Sequence, residues 1–304
     1  LVDTAVNLNA IHDFLKYQWI QAPDTIIASI SSLPPGHSAT FKKGKWQLKK
    51  WWDINAFAQN KATTDIDTAQ QNVKSLLYEA VERRLVSDVP IGAFLSGGID
   101  SSAVVAAMAN ISSSPINTFS IGFEEKQYDE SKYAEVIAKR FNTEHHPLEY
   151  SASRMKDEIP SILESFDTPS SDGVNSYVVS NLVKETGITV ALSGLGGDEL
   201  FCGYPVFTQL PSIQNLPLFW KLPVWARQSL TAPLSVMSDS KWTRIRAILS
   251  SKTDTPNDLY HFFRKINDTA NLDAWLSLDS NGSRIETHLK EIPKQETLTW
   301  VSQA

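Results

Sequence analysis

Residues 91–108, IGAFLSGGIDSSAVVAAM, decide how this chain is read. An apolar run ends in Ser96, Gly97 and Gly98, and Asp100, Ser101 and Ser102 then open a stretch of alanine and valine. The run 91–95 predicts a short buried strand, and 100–110 predicts a helix of small residues. The junction itself has two readings. It is a tight turn capped by Asp100 or Ser101, or it is a cradle for an anion. Glycines after a strand let backbone N–H groups approach an anion closely, and the helix that follows aims its positive end at it. The three serines add hydroxyl donors, and Asp100 is a hard oxygen ligand of the kind Mg²⁺ takes. An S-G-G-x-D-S-S run at a strand–helix junction favours the cradle for a phosphate. It is not a Walker loop, which needs G-K-[ST]. Nor is it a nucleophile elbow, because Phe94 stands two before Ser96.

Outward from this junction the chain alternates. Val73, Leu76, Leu77, Ala80, Val81 and Leu85 recur at helical spacing, so 67–86 predicts an amphipathic helix. A strand is expected at 116–123, a helix at 129–142, and a helix at 172–187 with Asp172 as N-cap and Gly187 as its stop. The β-branched run 188–193 predicts another strand. Such alternation implies an α/β fold with a mainly parallel sheet and helices on both faces. Ligands of these sheets bind beyond the carboxyl ends of the strands.

A second glycine loop falls at such an end. In LSGLGGDELFCGY (192–204), Ser193, Gly194, Gly196 and Gly197 precede Asp198 and Glu199. The dinucleotide pattern G-x-G-x-x-G fails at Glu199. Acids beside a phosphate make sense with a metal between them, so Asp198 pairs naturally with Asp100 on one Mg²⁺. A glycine turn with a solvated acidic pair is the plain alternative.

Other features carry less. Ile121 and Gly122 at the end of FSIGF read as core and turn. His145 and His146 are adjacent on an extended segment, so they point to opposite faces and make no metal site. Ser170, Ser171 and Asp172 fit a helix cap as well as a substrate contact, and KKGKWQLKK (42–50) reads as a solvated hairpin.

Composition sets the outer bounds. With 304 residues, 42% hydrophobic and a net charge of −6, the chain is an ordinary globular one without the basic face nucleic acid requires. No apolar run is long enough to span a bilayer, so no membrane partner is expected. A single cysteine, Cys202, excludes an internal disulfide and fits a cytoplasmic location.

LSGGIDSS (95–102) resembles the pyrophosphate loop of the N-type ATP pyrophosphatases. With FSIGF, LSGLGGDELFCGY and SLPPGH…WWD in this order, residues 10–207 are similar to glutamine-dependent asparagine synthetase. The resemblance implies a Rossmann-like, adenine-nucleotide α-hydrolase-like fold. It implies a ligase that uses ATP and Mg²⁺ to convert aspartate to β-aspartyl-AMP and pyrophosphate, then to asparagine with ammonia. Ser96, Gly97, Gly98, Asp100, Ser101 and Ser102 would hold the pyrophosphate and its metal. Leu95, Ile121 and Gly122 would line the nucleotide site, Ser193 and Gly194 would touch ATP, Asp198 would be a second metal ligand and Glu199 a substrate-side carboxylate. The family's complete enzyme carries a glutaminase domain with a catalytic N-terminal cysteine. This chain starts at Leu1 and reads as a fragment without it, so ammonia is expected from a domain missing here. A homodimer is left open. The expected organisation is a lead-in with a hairpin at 1–65, an ATP pyrophosphatase core at 66–205 and a helical, truncated part at 206–304. A synthetase acting on another carboxylate, such as a β-lactam synthetase, and a non-catalytic nucleotide-binding scaffold stay as alternatives.

Overall fold

The structure, a computed structural model, describes residues 2–54, 56, 65–123, 130–233, 240–251, 256–264, 266 and 272. Tertiary contacts divide the chain into two units. One comprises Leu1–Lys61, Thr168–Ser171 and Tyr204–Ala304, the other Ala62–Asp167 and Asp172–Gly203.

The first unit opens with helix α1 (Leu8–Tyr17), whose Asn7 N-cap accepts from the Ala10 N–H. An antiparallel hairpin of β1 (His37–Lys42) and β2 (Lys45–Lys50) follows. Lys43 and Gly44 both have positive φ, 50° and 76°, which gives the two-residue turn that matches strand twist. Phe41 lies opposite Trp46 with ring centroids 4.9 Å apart, yet both rings are exposed. The solvated hairpin expected at 42–50 is there, and it extends back to His37.

The second unit holds the sheet. Helix α2 (Ile66–Arg84) starts at Asp65, whose carboxylate accepts from the Thr68 N–H at 2.9 Å. Then come β3 (Ile91–Phe94), α3 (Ile99–Ile111), β4 (Asn117–Phe123), α4 (Ser131–Phe141), β5 (Glu144–Tyr150), α5 (Ala152–Glu164), α6 (Gly173–Glu185), β6 (Val190–Leu192) and α7 (Gly197–Phe201). The four strands are all parallel, in the order β5-β4-β3-β6. From β3 the chain moves outward through β4 to β5, then returns to the other side of β3 as β6. The carboxyl edge between β3 and β6 is therefore the topological switch point, where such sheets bind ligands.

Alternation along β3 splits the core into two layers. Ala93 and Leu95 join Val81 of α2, Val105 and Met108 of α3, and Ala134 and Ala138 of α4 on one face. Phe94 and Phe119 meet Val183 of α6 on the other, and Tyr150, Ile162 and Val178 extend that layer. Helix α3 is apolar nearly all round because it lies between sheet and neighbouring helices. The expected parallel α/β architecture is confirmed.

Several details differ. The apolar stripe expected on α2 is only half used: Leu77, Val81 and Leu85 pack on the core, while Val73 and Leu76 stay exposed. Asp172 occupies the N-cap position of α6 but makes no cap bond, and instead accepts from Asn175 Nδ2 at 3.2 Å. Gly187 does stop that helix, with φ of +87° just beyond the C-cap. Helix α5 had no sequence forecast, and β5 was read only as an extended segment around His145 and His146. Pro147 sits in β5, which is tolerable because β5 is an edge strand.

The first unit resumes with α8 (Pro205–Gln214), α9 (Pro217–Trp220), α10 (Val224–Thr231), α11 (Ser240–Leu249) and α12 (Pro256–Arg264). Leu210, Ile248 and Leu259 form their core. Arg227 is buried there, donating to the carbonyls of Leu222 and Leu249, with its guanidinium 4.8 Å from the Trp220 ring centroid. The helical part expected at 206–304 is seen as far as Arg264; most of 265–304 lies outside the described residues.

Candidate functional site

The first glycine loop leaves β3 with Leu95, whose N–H donates to the Phe119 carbonyl at 2.7 Å. Ser96 then turns inward. Its Oγ lies 3.0 Å from Ser101 Oγ and accepts from the Gly98 N–H, while Ser101 Oγ donates to the Gly98 carbonyl at 3.2 Å. This web of hydroxyls fixes the loop against the first turn of α3. Gly97 has φ of +80°, and a methyl on its Cα would stand 2.4 Å from Tyr133 Cβ. Gly98 is the N-cap of α3 and offers no side chain to its N–H groups. The positive end of the helix thus keeps donors for an outside group. Ser102 Oγ is buried without a hydrogen-bond partner.

The second loop, between β6 and α7, packs directly on the first. A methyl on Gly194 would meet the Ser101 nitrogen at 2.6 Å, and one on Gly197 would meet Asp100 Cγ at 2.2 Å. Only hydrogen at these two positions lets the loops touch. The contact seats the Asp100 carboxylate against the residue that precedes Asp198. Asp198 turns its own carboxylate toward Gly203, whose Cα has no room for a methyl beside it. Among the described residues, no group of three or more His, Cys, Asp and Glu side chains is placed to hold a metal unaided. A pair of carboxylates completed by phosphate oxygens is the arrangement Mg²⁺ commonly takes.

Beside the first loop lies a cavity of about 390 Å³. Leu95, Ser96 and Ile121 line it, as do Tyr150, Asn175 and Val178. The first three were singled out in the sequence; the last three were not. Tyr150 ends β5 at the same sheet edge, a placement invisible until β5 is recognised as a strand. Its hydroxyl donates to Glu158 at 2.8 Å, and burial, reinforced by that carboxylate, pushes its pKa up to about 12. It therefore stays a donor at neutral pH. Asn175 lies three residues beyond Asp172, which with Ser170 and Ser171 fits a helix cap as well as a substrate contact.

The remaining sequence candidates are scattered around this centre. Gly122 lies on β4 in register with Glu149, outside the cavity lining. Ser193 accepts from the Leu195 N–H at 3.1 Å, and Glu199 is exposed in the first turn of α7. His145 and His146 do point apart. His145 meets Thr118 and Ser120, and His146 meets Asn117.

Parallel strands, a switch point and two interlocked glycine loops define an α/β domain of the class that binds its ligand at the carboxyl edge of the sheet. The model of the family Asparagine synthase matches residues 72–301, and the chain belongs to that family. A putative asparagine synthetase (glutamine-hydrolyzing) 2 of Methanocaldococcus jannaschii is 35% identical over 232 residues, 72% of this chain and 44% of that protein. Asparagine synthetase (glutamine-hydrolyzing) 1 of Bacillus subtilis is 30% identical over 240 residues, 78% of this chain and 37% of that protein. The chain thus spans less than half the length of either relative. A solved structure, the NH3-dependent NAD synthetase from Campylobacter jejuni, is similar with a TM-score of 0.32 and 15% identity, covering 44% of this chain and 60% of that one. Among the described residues, no helix is long and apolar enough to cross a membrane.

Proposed function

We propose that this chain is the synthetase domain of an enzyme that makes asparagine from aspartate, ATP and ammonia. A side-chain carboxylate oxygen of aspartate attacks the α-phosphorus of ATP, the bond from that phosphorus to the bridging oxygen breaks, and pyrophosphate leaves. Ammonia then attacks the acyl carbon of β-aspartyl-AMP, a proton is lost, and AMP departs with the oxygen that linked it to the acyl group. Membership of the family supports the amide-forming chemistry. The observation that carries the reading is the locked pair of loops, with the Asp100 carboxylate against the bare Cα of Gly197.

Each residue has a task in this scheme. The N–H groups at the start of α3, with Ser96, Ser101 and Ser102, neutralise the departing pyrophosphate. Asp100 and Asp198 would hold Mg²⁺, which supplies positive charge to the phosphates. The apolar cavity next to Ser96 takes the nucleoside, with Leu95 and Ile121 as walls. Ser193 and Gly194 approach ATP from the second loop, and Glu199 faces the amino acid. Ammonia comes from a glutaminase, and a cytoplasmic setting suits these substrates.

Pyrophosphate–ATP exchange in the full-length protein tests the scheme. We expect exchange that depends on aspartate and falls below detection in Asp100→Ala. Exchange supported by no carboxylate would refute the adenylation step. Exchange with a different acid alone would keep the chemistry and change the substrate.

A further inference from the structure

We infer that Arg154 is a positioning residue for the nucleoside cavity, acting as a latch between the two helices that wall it. The inference rests on the reading that this cavity takes the nucleoside of ATP. Three elements contribute to the cavity wall away from the glycine loops: β5 through Leu148 and Tyr150, α5 through Met155, and α6 through Val174, Val178 and Val183. One polar network touches all three. Tyr150 at the end of β5 donates to Glu158 Oε2 at 2.8 Å. Arg154 Nε donates to Glu158 Oε1 at 2.8 Å, and its Nη2 donates to Glu185 Oε1 at 2.5 Å. Glu185 is the last residue of α6, so the guanidinium ties α5 to α6. The same guanidinium lies 5.5 Å from the centroid of the Tyr150 ring.

None of Arg154, Glu158 and Glu185 lines the cavity; their neighbours along the chain do. Met155 follows Arg154 directly, and Val183 stands two before Glu185. The fork of one arginine therefore sets where Met155 and the apolar side of α6 stand. An isolated exposed ion pair contributes little, but a planar guanidinium shared by two carboxylates, one of them also holding a buried tyrosine, has a fixed geometry. Such a bridge can set the spacing of two helices without contacting the ligand.

Titration of MgATP into the full-length protein, with steady-state kinetics alongside, tests the latch. Arg154→Met keeps the aliphatic stem and removes both bonds. We expect its ATP affinity to fall roughly tenfold, a change of about 1.4 kcal/mol. The KM for aspartate and kcat stay within about twofold of the parent. Arg154→Lys, which reaches one carboxylate, recovers part of the affinity, and Glu185→Gln reproduces part of the loss. Lys139→Met breaks the Lys139–Glu135 ion pair on α4 and leaves ATP affinity unchanged. The inference is overturned if both Arg154→Met and Glu185→Gln bind ATP like the parent. It is equally overturned if affinities for ATP and aspartate fall together with thermal stability. Failure of the parent protein to bind MgATP would instead strike the nucleoside reading, and this latch with it.

Discussion

Gly97 and Gly197 show how single hydrogens build the site, and each makes a distinct prediction. Gly97 combines a positive φ with a close neighbour, so Gly97→Ala is strained in two ways. It should destabilise the fold by about 1–3 kcal/mol, read from a shift of the urea midpoint. Gly197→Ala places its methyl on the Asp100 carboxylate and displaces the group that the proposed metal needs. It should lower pyrophosphate exchange by roughly a hundredfold, the scale set by a misplacement of about 1 Å. His145 supplies a pH test. Burial, and then the neighbouring charge of His146, hold its pKa below the ordinary 6.5. The folded state then binds fewer protons than the unfolded chain at acidic pH. The contribution is intact above about pH 6.5 and is lost as pH falls through the lowered value. Stability should therefore decline as pH falls below about 6.5 in the parent and much less steeply in His145→Gln, as followed by chemical denaturation at each pH.

At the scale of elements, what was legible followed burial. The strand at 91–94 and the helix at 99–111 announced themselves because the strand is apolar, the helix beyond its first turn is apolar nearly all round, and glycines and serines separate them. Strand β5 hid because its sequence, EHHPLEY, carries two adjacent histidines, a proline and two acids on a sheet edge. Its apolar contribution, Leu148 and Tyr150, comes at the carboxyl end, which is also where the cavity forms. Missing β5 thus meant missing the far wall of the site. The half-used stripe of α2 has the same physics: helical spacing identifies a face, while burial of that face depends on what the chain brings to it. These differences have energetic consequences. Met108→Ala in α3 removes a fully buried side chain and should cost about 2–5 kcal/mol. Trp46→Ala in the hairpin removes a ring that is 71% exposed and should cost less than about 1 kcal/mol. Comparing their denaturation midpoints checks the ranking.

For the molecule as a whole, the topology explains why two segments nearly a hundred residues apart share one centre. Because β6 returns beside β3, the loops after both strands meet at the same edge. The residues suggested a metal shared by Asp100 and Asp198, since an acid near a phosphate calls for one; what the structure brings together is the Asp100 carboxylate and Gly197. That contact was not readable, because it depends on strand order. The family model matches residues 72–301; under the proposed function, the two loops that meet at Asp100 and Gly197 are where the leaving group would be held. In the proposed reaction the aspartate carboxylate attacks the α-phosphorus. Isotope transfer tests it most directly: aspartate carrying ¹⁸O in its side-chain carboxylate is turned over with ATP and ammonia by the full-length protein, and the phosphates are read by ³¹P NMR. The account predicts one ¹⁸O in the AMP and none in pyrophosphate. Label in inorganic phosphate, with ADP formed in place of AMP, would contradict it.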